Sequence, residues 1–185
     1  MAEKKKFSLM MVLPPLIFIG VAALFFFGMH REDPETLPST RIDKPAPSVD
    51  LAPLAGMPLL TDEVLHEPGV KLVNFWGTWC VACRLEHPQL LRMAGELGIT
   101  LHGVNYNDEP ARAEAYLERE GNPFTALGED KTGRTKIDWG VYGAPETFVI
   151  DGDGVVRLRF AGPITEDILR HTILPAIEAA GQVSQ

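Results

Sequence analysis

The chain has 185 residues, 45% of them hydrophobic, with 2 cysteines and a formal net charge of −8. That length suits one domain with a proper core. The acidic balance argues against nucleic acid as a partner and favours a soluble surface.

Lys4, Lys5 and Lys6 precede a run from Phe7 to Met29 that contains no charged residue. At about 1.5 Å per helical residue that run is long enough to span a bilayer, and Pro14 and Pro15 near its start bend such a helix without preventing insertion. Lysines on one side, against Arg31 with Glu32 and Asp33 on the other, predict residues 1–6 in the cytoplasm, an anchor over 7–29 and the remainder outside. A cleaved signal peptide is the alternative: Ala22-Ala23 supplies small residues, although Leu24-Phe25-Phe26-Phe27 carries the apolar run past them. Residues 30–44 are polar and bear Pro34 and Pro38, as a tether does, and 45–185 form the folded domain.

Within that domain Val49 to Leu54 reads as a short strand and Gly56 as a turn. Thr61 caps a short helix with Asp62 and Glu63 in its first turn. Val70 to Trp76 is nearly all apolar, the signature of a strand covered on both faces. A helix follows Cys80 and runs to about Leu97, burying Leu90, Ala94 and Leu97; Pro88 kinks it, Gly98 ends it, and His87 lies on its surface. Ile99 to Tyr106 is a second buried strand. Pro110 to Glu120 is a helix capped by Asp108 and stopped by Gly121. Phe124 to Leu127 is a short strand and Thr135 to Val141 a helix. Thr147 to Asp151, the turn Gly152-Asp153-Gly154 and Val155 to Phe160 form a hairpin, and a last helix runs from about Thr165 to Ala180. Alternating strands and helices closed by a hairpin and a helix give an α/β fold, a mixed sheet covered by helices. No repeat or low-complexity tract interrupts it.

Both cysteines fall in Trp76-Gly77-Thr78-Trp79-Cys80-Val81-Ala82-Cys83. A C-x-x-C pair that follows an apolar strand and opens a helix is the thioredoxin-like arrangement for thiol–disulfide exchange. The helix N-terminus presents unpaired N–H groups and about half a positive charge, favouring a thiolate at Cys80, while Cys83 is placed to attack a mixed disulfide formed there. A purely structural disulfide closing so short a loop would add little stability. Structural zinc wants four ligands and has no second ligand pair here. Covalent haem attachment needs C-x-x-C-H, and the residue after Cys83 is Arg84. Copper(I) held by two thiolates remains as a non-enzymatic alternative, a delivery module. Outside the cytoplasmic membrane thiols tend to be oxidised, so a chain with one exposed exchange pair and no other cysteine suits a catalyst.

Three features together resemble the thioredoxin-like superfamily and, within it, the membrane-anchored thiol:disulfide interchange proteins of cytochrome c maturation (CcmG/DsbE). They are the N-terminal anchor, Trp79-Cys80-Val81-Ala82-Cys83 with Glu86 three residues on, and Gly140-Val141-Tyr142-Gly143-Ala144-Pro145-Glu146-Thr147-Phe148. The resemblance covers about Pro45 to Ala180 together with the anchor. It implies a thioredoxin-like sheet and a periplasmic enzyme on the inner membrane that reduces disulfides of apocytochrome c or of a haem-ligation component. It also implies recharging by a membrane thiol carrier of the CcdA or DsbD kind. A broader TlpA-like reductase, general or serving metal-centre assembly in an oxidase, is the alternative within the same chemistry. No bound cofactor or metal is needed when the Cys80–Cys83 disulfide itself carries the electrons.

The same resemblance implies a cis Pro145 beside Cys80, with the backbone of Ala144 free to pair with an extended substrate. Thioredoxin carries a buried aspartate where this chain has Asn74, which exchanges no proton. Glu86, one helical turn from Cys83, is then the expected proton relay, with a pKa raised by burial. Val81 and Ala82 supply neither a cation nor a strong donor to Cys80, which favours a reducing couple. Trp76 and Trp79 are expected to shield and orient the redox turn, and Tyr142 and Glu146 to help choose partners.

Overall fold

The computed structural model describes residues 9–29 and 41–183. The expected cytoplasmic segment 1–6 and tether residues 30–40 lie outside them. The chain divides into two units, 1–37 and 38–185, each described here by itself.

In the first unit Leu9–Met29 form helix α1, 21 residues long, with Pro14 and Pro15 inside it. Its described side chains, residues 13–26, are exposed. That part alone is shorter than the roughly 20 residues a bilayer crossing takes. Among the described residues no helix is long and apolar enough to cross a membrane.

The second unit is built on a five-stranded sheet of order β3-β2-β1-β4-β5. Its strands are β1 (Lys71–Trp76), β2 (Thr100–Tyr106), β3 (Ala126–Asp130), β4 (Glu146–Ile150) and β5 (Val156–Ala161). β1 is central, parallel to β2 and antiparallel to β4, and all six of its residues are buried. Alternation along the strands sends Leu72 and Trp76 to one core and Val73 and Phe75 to the other. The first core is shared with Cys83, Leu90 and Met93 of α3 (Val81–Gly95) and with Ala113, Tyr116 and Leu117 of α4 (Pro110–Glu120). Ile173 and Ala180 of the C-terminal helices complete it. On the other face Phe75, Trp139 and Phe148 pack ring against ring, beside Leu65 of α2 (Asp62–Leu65).

Most expected elements are present, with shifts that have physical causes. Val49 to Leu54 forms no strand; of these residues Ala52 alone bridges to Glu129, and Pro53 after it has no N–H to extend a ladder. The third strand begins at Ala126 rather than Phe124, whose ring serves the core. The helix expected from Thr135 is a short α5 (Arg134–Asp138). Thr61 caps α2 and Thr165 caps α6 (Glu166–Ile168), which runs through a π-helical turn (Leu169–Ile173) into α7 (Leu174–Val183). The inward face of α3 is Cys83, Glu86, His87, Leu90 and Met93, so His87 is buried and Leu97 exposed, the reverse of the expectation. Residues 41–44 belong to the domain and not to a tether. Asp43 N–H donates to the Val156 carbonyl, Lys44 C=O accepts from Val156 N–H, and Asp43 pairs with Arg157 at 2.8 Å.

The candidate redox site

Cys80 stands at the N-cap of α3 and is disulfide-bonded to Cys83. Its Sγ accepts the N–H of Cys83 at 3.0 Å, the capping bond a serine or aspartate oxygen makes elsewhere. In the reduced protein that donor and the positive helix end both favour a thiolate at Cys80.

On the other side of the sulfur, the peptide between Ala144 and Pro145 is cis, and the Ala144 carbonyl oxygen lies 3.3 Å from Cys80 Sγ. Both cysteines are nearly covered: Cys80 is 5% exposed and Cys83 6%. The sequence reading expected an open Cys80. Instead little of Cys80 is open to solvent, while Trp79 and Val81 on either side of it are exposed. A reacting partner must therefore contact the sulfur through a small opening.

Two brackets hold the rim. Asp108 accepts from Thr78 N–H and Thr78 Oγ–H, each at 2.6 Å, and from Asn105 at 2.9 Å. Partial burial pushes its pKa up, but these hydrogen bonds outweigh burial and hold it below the usual carboxylate range. Asp108 was expected to cap α4; the N-cap is Glu109, and Asp108 instead pins the redox turn to the end of β2. Trp79 Nε1–H donates to the Tyr106 carbonyl at 3.2 Å, fixing the indole across the same gap.

The second bracket is Glu146, which is 1% exposed. One carboxylate oxygen accepts the N–H groups of Tyr142 and Gly143 at 3.0 and 3.1 Å, and the other accepts from Arg159 at 2.7 Å. Its oxygens are thus engaged inside the fold, where they shape the loop leading to Pro145. Tyr142, by contrast, is exposed, with Arg159 stacked 4.6 Å from its ring centroid. No sequence motif announces the Asp108 and Glu146 brackets as loop clamps. A carboxylate two residues after β2 and another at the start of β4 were the only available signals.

Behind the disulfide, Glu86 is 1% exposed. It accepts from Asn74 Nδ2–H at 3.0 Å and from the Ile164 N–H at 2.9 Å, and Asn74 donates also to Thr147 at 3.0 Å. Burial pushes the Glu86 pKa up to about 7, against the downward pull of those two donors. A cavity of about 10 Å³ is lined by Cys83, Glu86, Asn74 and His87 among others, room for one water molecule. A carboxyl poised near neutrality that lines the same small cavity as the inner cysteine is suited to move a proton. His87 is turned away, its Nε2 3.1 Å from the Gly121 carbonyl, and burial lowers its pKa.

The structure thus brings together Cys80, Cys83, Ala144 and Pro145 in one cluster, with Glu86 beneath it. Among the described residues no group of three or more His, Cys, Asp or Glu side chains is placed to hold a metal ion.

The chain is similar to known proteins. The Redoxin family model matches residues 42–173. The chain is 47% identical over 175 residues to the thiol:disulfide interchange protein DsbE homolog of Paracoccus denitrificans, covering 95% of this chain and 97% of that protein. It is 42% identical over 168 residues to the thiol:disulfide interchange protein HelX of Rhodobacter capsulatus, covering 91% and 95%. The crystal structure of a thiol:disulfide interchange protein of the thioredoxin family from Chlorobium tepidum superposes with a TM-score of 0.60 at 26% identity, over 76% of this chain and 99% of that one. With its cysteine pair capping a helix in a thioredoxin-like sheet, the chain belongs to the Redoxin family as a thiol:disulfide oxidoreductase of the DsbE and HelX interchange proteins.

Proposed function

We propose that this enzyme is a reductase of cytochrome c maturation, anchored in the inner membrane by its uncharged N-terminal run with its redox domain in the periplasm. The observation that carries the redox part is the Cys80 sulfur at the head of α3, with the Ala144 carbonyl on one side and a carboxyl of pKa about 7 behind. The maturation role rests on kinship with DsbE and HelX proteins. The anchor rests on the uncharged run Phe7 to Met29 and the lysines before it.

The reaction balances as two exchanges. The Cys80 thiolate attacks a partner disulfide; the partner S–S bond breaks, a Cys80–partner bond forms, and one partner thiolate leaves. Cys83 then gives its proton toward Glu86 and attacks the Cys80 sulfur. The Cys80–Cys83 bond forms and the second partner thiolate leaves, so the partner gains two electrons and the enzyme loses them. The partner backbone pairs alongside Ala144, in the manner of an added strand. Neither Val81 nor Ala82 adds a donor to the Cys80 sulfur, and the Arg84 guanidinium donates to the Thr78 carbonyl at 2.7 Å. Thiolate stabilisation thus rests mainly on the helix end, which favours a reducing couple over an oxidising one.

On this reading apocytochrome c or a haem-ligation component is the substrate, a membrane thiol carrier of the CcdA or DsbD type restores the dithiol, and no bound cofactor takes part. Cys83→Ser in the full chain removes the resolving thiol and should strand Cys80 on its partner. Recovery of an apocytochrome or a haem-ligation component as the mixed disulfide supports the proposal. A broad set of unrelated periplasmic proteins would instead mark a general TlpA-like reductase.

A further inference from the structure

One stripe of α4 carries its two arginines, with Glu109 and Glu120 beside them. Arg112, Ala115, Tyr116 and Arg119 recur at i, i+3, i+4 and i+7, one stripe of the helix. Glu114 and Glu118 fall elsewhere, around a separate depression beside Ala55 and Gly56. The arginine stripe, with Thr78 and Arg84, lines a groove of about 470 Å³. Thr78 and Arg84 flank the redox pair, so the groove begins where the Cys80 turn ends.

Three guanidinium groups around one groove are unexpected in a chain of net charge −8. Their present partners are weak competitors. Arg112 pairs with exposed Glu109 at 2.8 Å and Arg119 with Glu120 at 2.7 Å, each through Nε. Exposed pairs of this kind contribute little, and the remaining N–H groups of each fork stay available. Arg119 also lies 5.8 Å from the Tyr116 ring centroid, which steadies it along the groove wall. Arg84 donates only to the Thr78 carbonyl and has no carboxylate partner among the described residues. The span from Arg112 to Arg119 is roughly 10 Å of helix, about three residues of extended chain.

Resting on the exchange activity proposed above, we infer that this groove binds the carboxylates of an acidic segment flanking the reactive cysteine of the partner. The enzyme then selects partners by charge as well as by the small opening at Cys80. Guanidinium forks match carboxylates in pairs of hydrogen bonds, and a positive groove beside the reacting sulfur raises the encounter rate of an acidic chain.

The test uses the full chain, reduced, and two synthetic peptides closed by the same disulfide. They differ only in the residues next to one cysteine, three Asp or Glu in one and the matching Asn or Gln in the other. Second-order rates of peptide reduction are followed by stopped-flow fluorescence at low salt. The acidic peptide should react at least about tenfold faster, and the ratio should shrink in roughly 0.5 M salt. In Arg84→Gln/Arg112→Gln/Arg119→Gln the ratio should fall to about one, while the corresponding Lys triple variant keeps most of it. Equal rates for the two peptides with the unmodified enzyme, or a ratio that survives the Gln variant, overturns the groove while leaving the exchange reading intact. Reduction of neither peptide removes the exchange reading and the groove with it.

Discussion

Asn74 and Glu86 meet in the interior where β1 passes under α3, the amide donating to the carboxylate at 3.0 Å. The pair occupies the position where thioredoxin-like catalysis calls for a buried acid, but the acid has moved from strand to helix. The amide left on the strand holds it in place, one helical turn along α3 from Cys83, whose proton it is proposed to relay.

Burial raises the Glu86 pKa to about 7 in the folded protein from an ordinary value near 4.5. Between those values the native state holds a proton that the unfolded chain has released, so this group makes stability fall as pH rises from about 4.5 to about 7. The shift corresponds to about 3 kcal/mol. Glu86→Gln should remove that slope in urea unfolding of the oxidised protein. It should also flatten the pH profile of partner release by Cys83 between about pH 5 and 9. A profile identical to that of the parent enzyme would refute the relay.

His102 supplies the opposite slope. It is 2% exposed on β2, and neither ring nitrogen has a hydrogen-bond partner among the described residues. Burial lowers its pKa to about 4, helped by Lys71 nearby. Here the unfolded chain takes up a proton first, so stability drops as pH falls from about 6.5 to about 4. His102→Leu, close in volume, should stabilise the protein by about 1 kcal/mol at neutral pH by removing two unpaired polar atoms. The gain should grow by about 3 kcal/mol toward pH 4. The two windows nearly coincide, so each variant unmasks the slope of the other group. Chemical denaturation at three pH values reads both.

Glu146 and Arg159 form a buried ion pair at 2.7 Å, with side chains 1% and 9% exposed. Glu146→Gln leaves the Arg159 charge enclosed without its counter-ion and weakens the acceptor for Tyr142 and Gly143. It should cost about 3 kcal/mol in thermal or urea unfolding and slow exchange at Cys80. Adding Arg159→Met should restore part of the stability, because the orphaned charge is then gone. Loss of under about 0.5 kcal/mol in the single variant would contradict the clamp.

How far the sequence could be read divides along local and non-local lines. The strand–Cys80–helix junction, the Thr61 cap, the Gly121 stop, the hairpin from Thr147 to Phe160 and the start of the last helix at Thr165 are set by neighbours in sequence, and local pattern finds them. His87 was misplaced because burial of its ring depends on Tyr116 and Gly121, which come from α4 and its end. Asp108 looked like a cap because a cap is the local use of aspartate; its actual partner, Thr78, lies 30 residues away. Glu146 looked like a surface selector until β5 brought Arg159 beside it. Spacing suggested Glu86, yet the Asn74 and Ile164 donors that hold it come from β1 and from the segment after β5.

The small exposed area of Cys80 has a consequence for electron leakage. A thiol couple loses electrons to small disulfides and stray oxidants unless contact with the sulfur is restricted. With only 5% of Cys80 and 6% of Cys83 open to solvent in the disulfide form, little of the couple is offered to chance collision, and a reacting chain must make contact through that small opening.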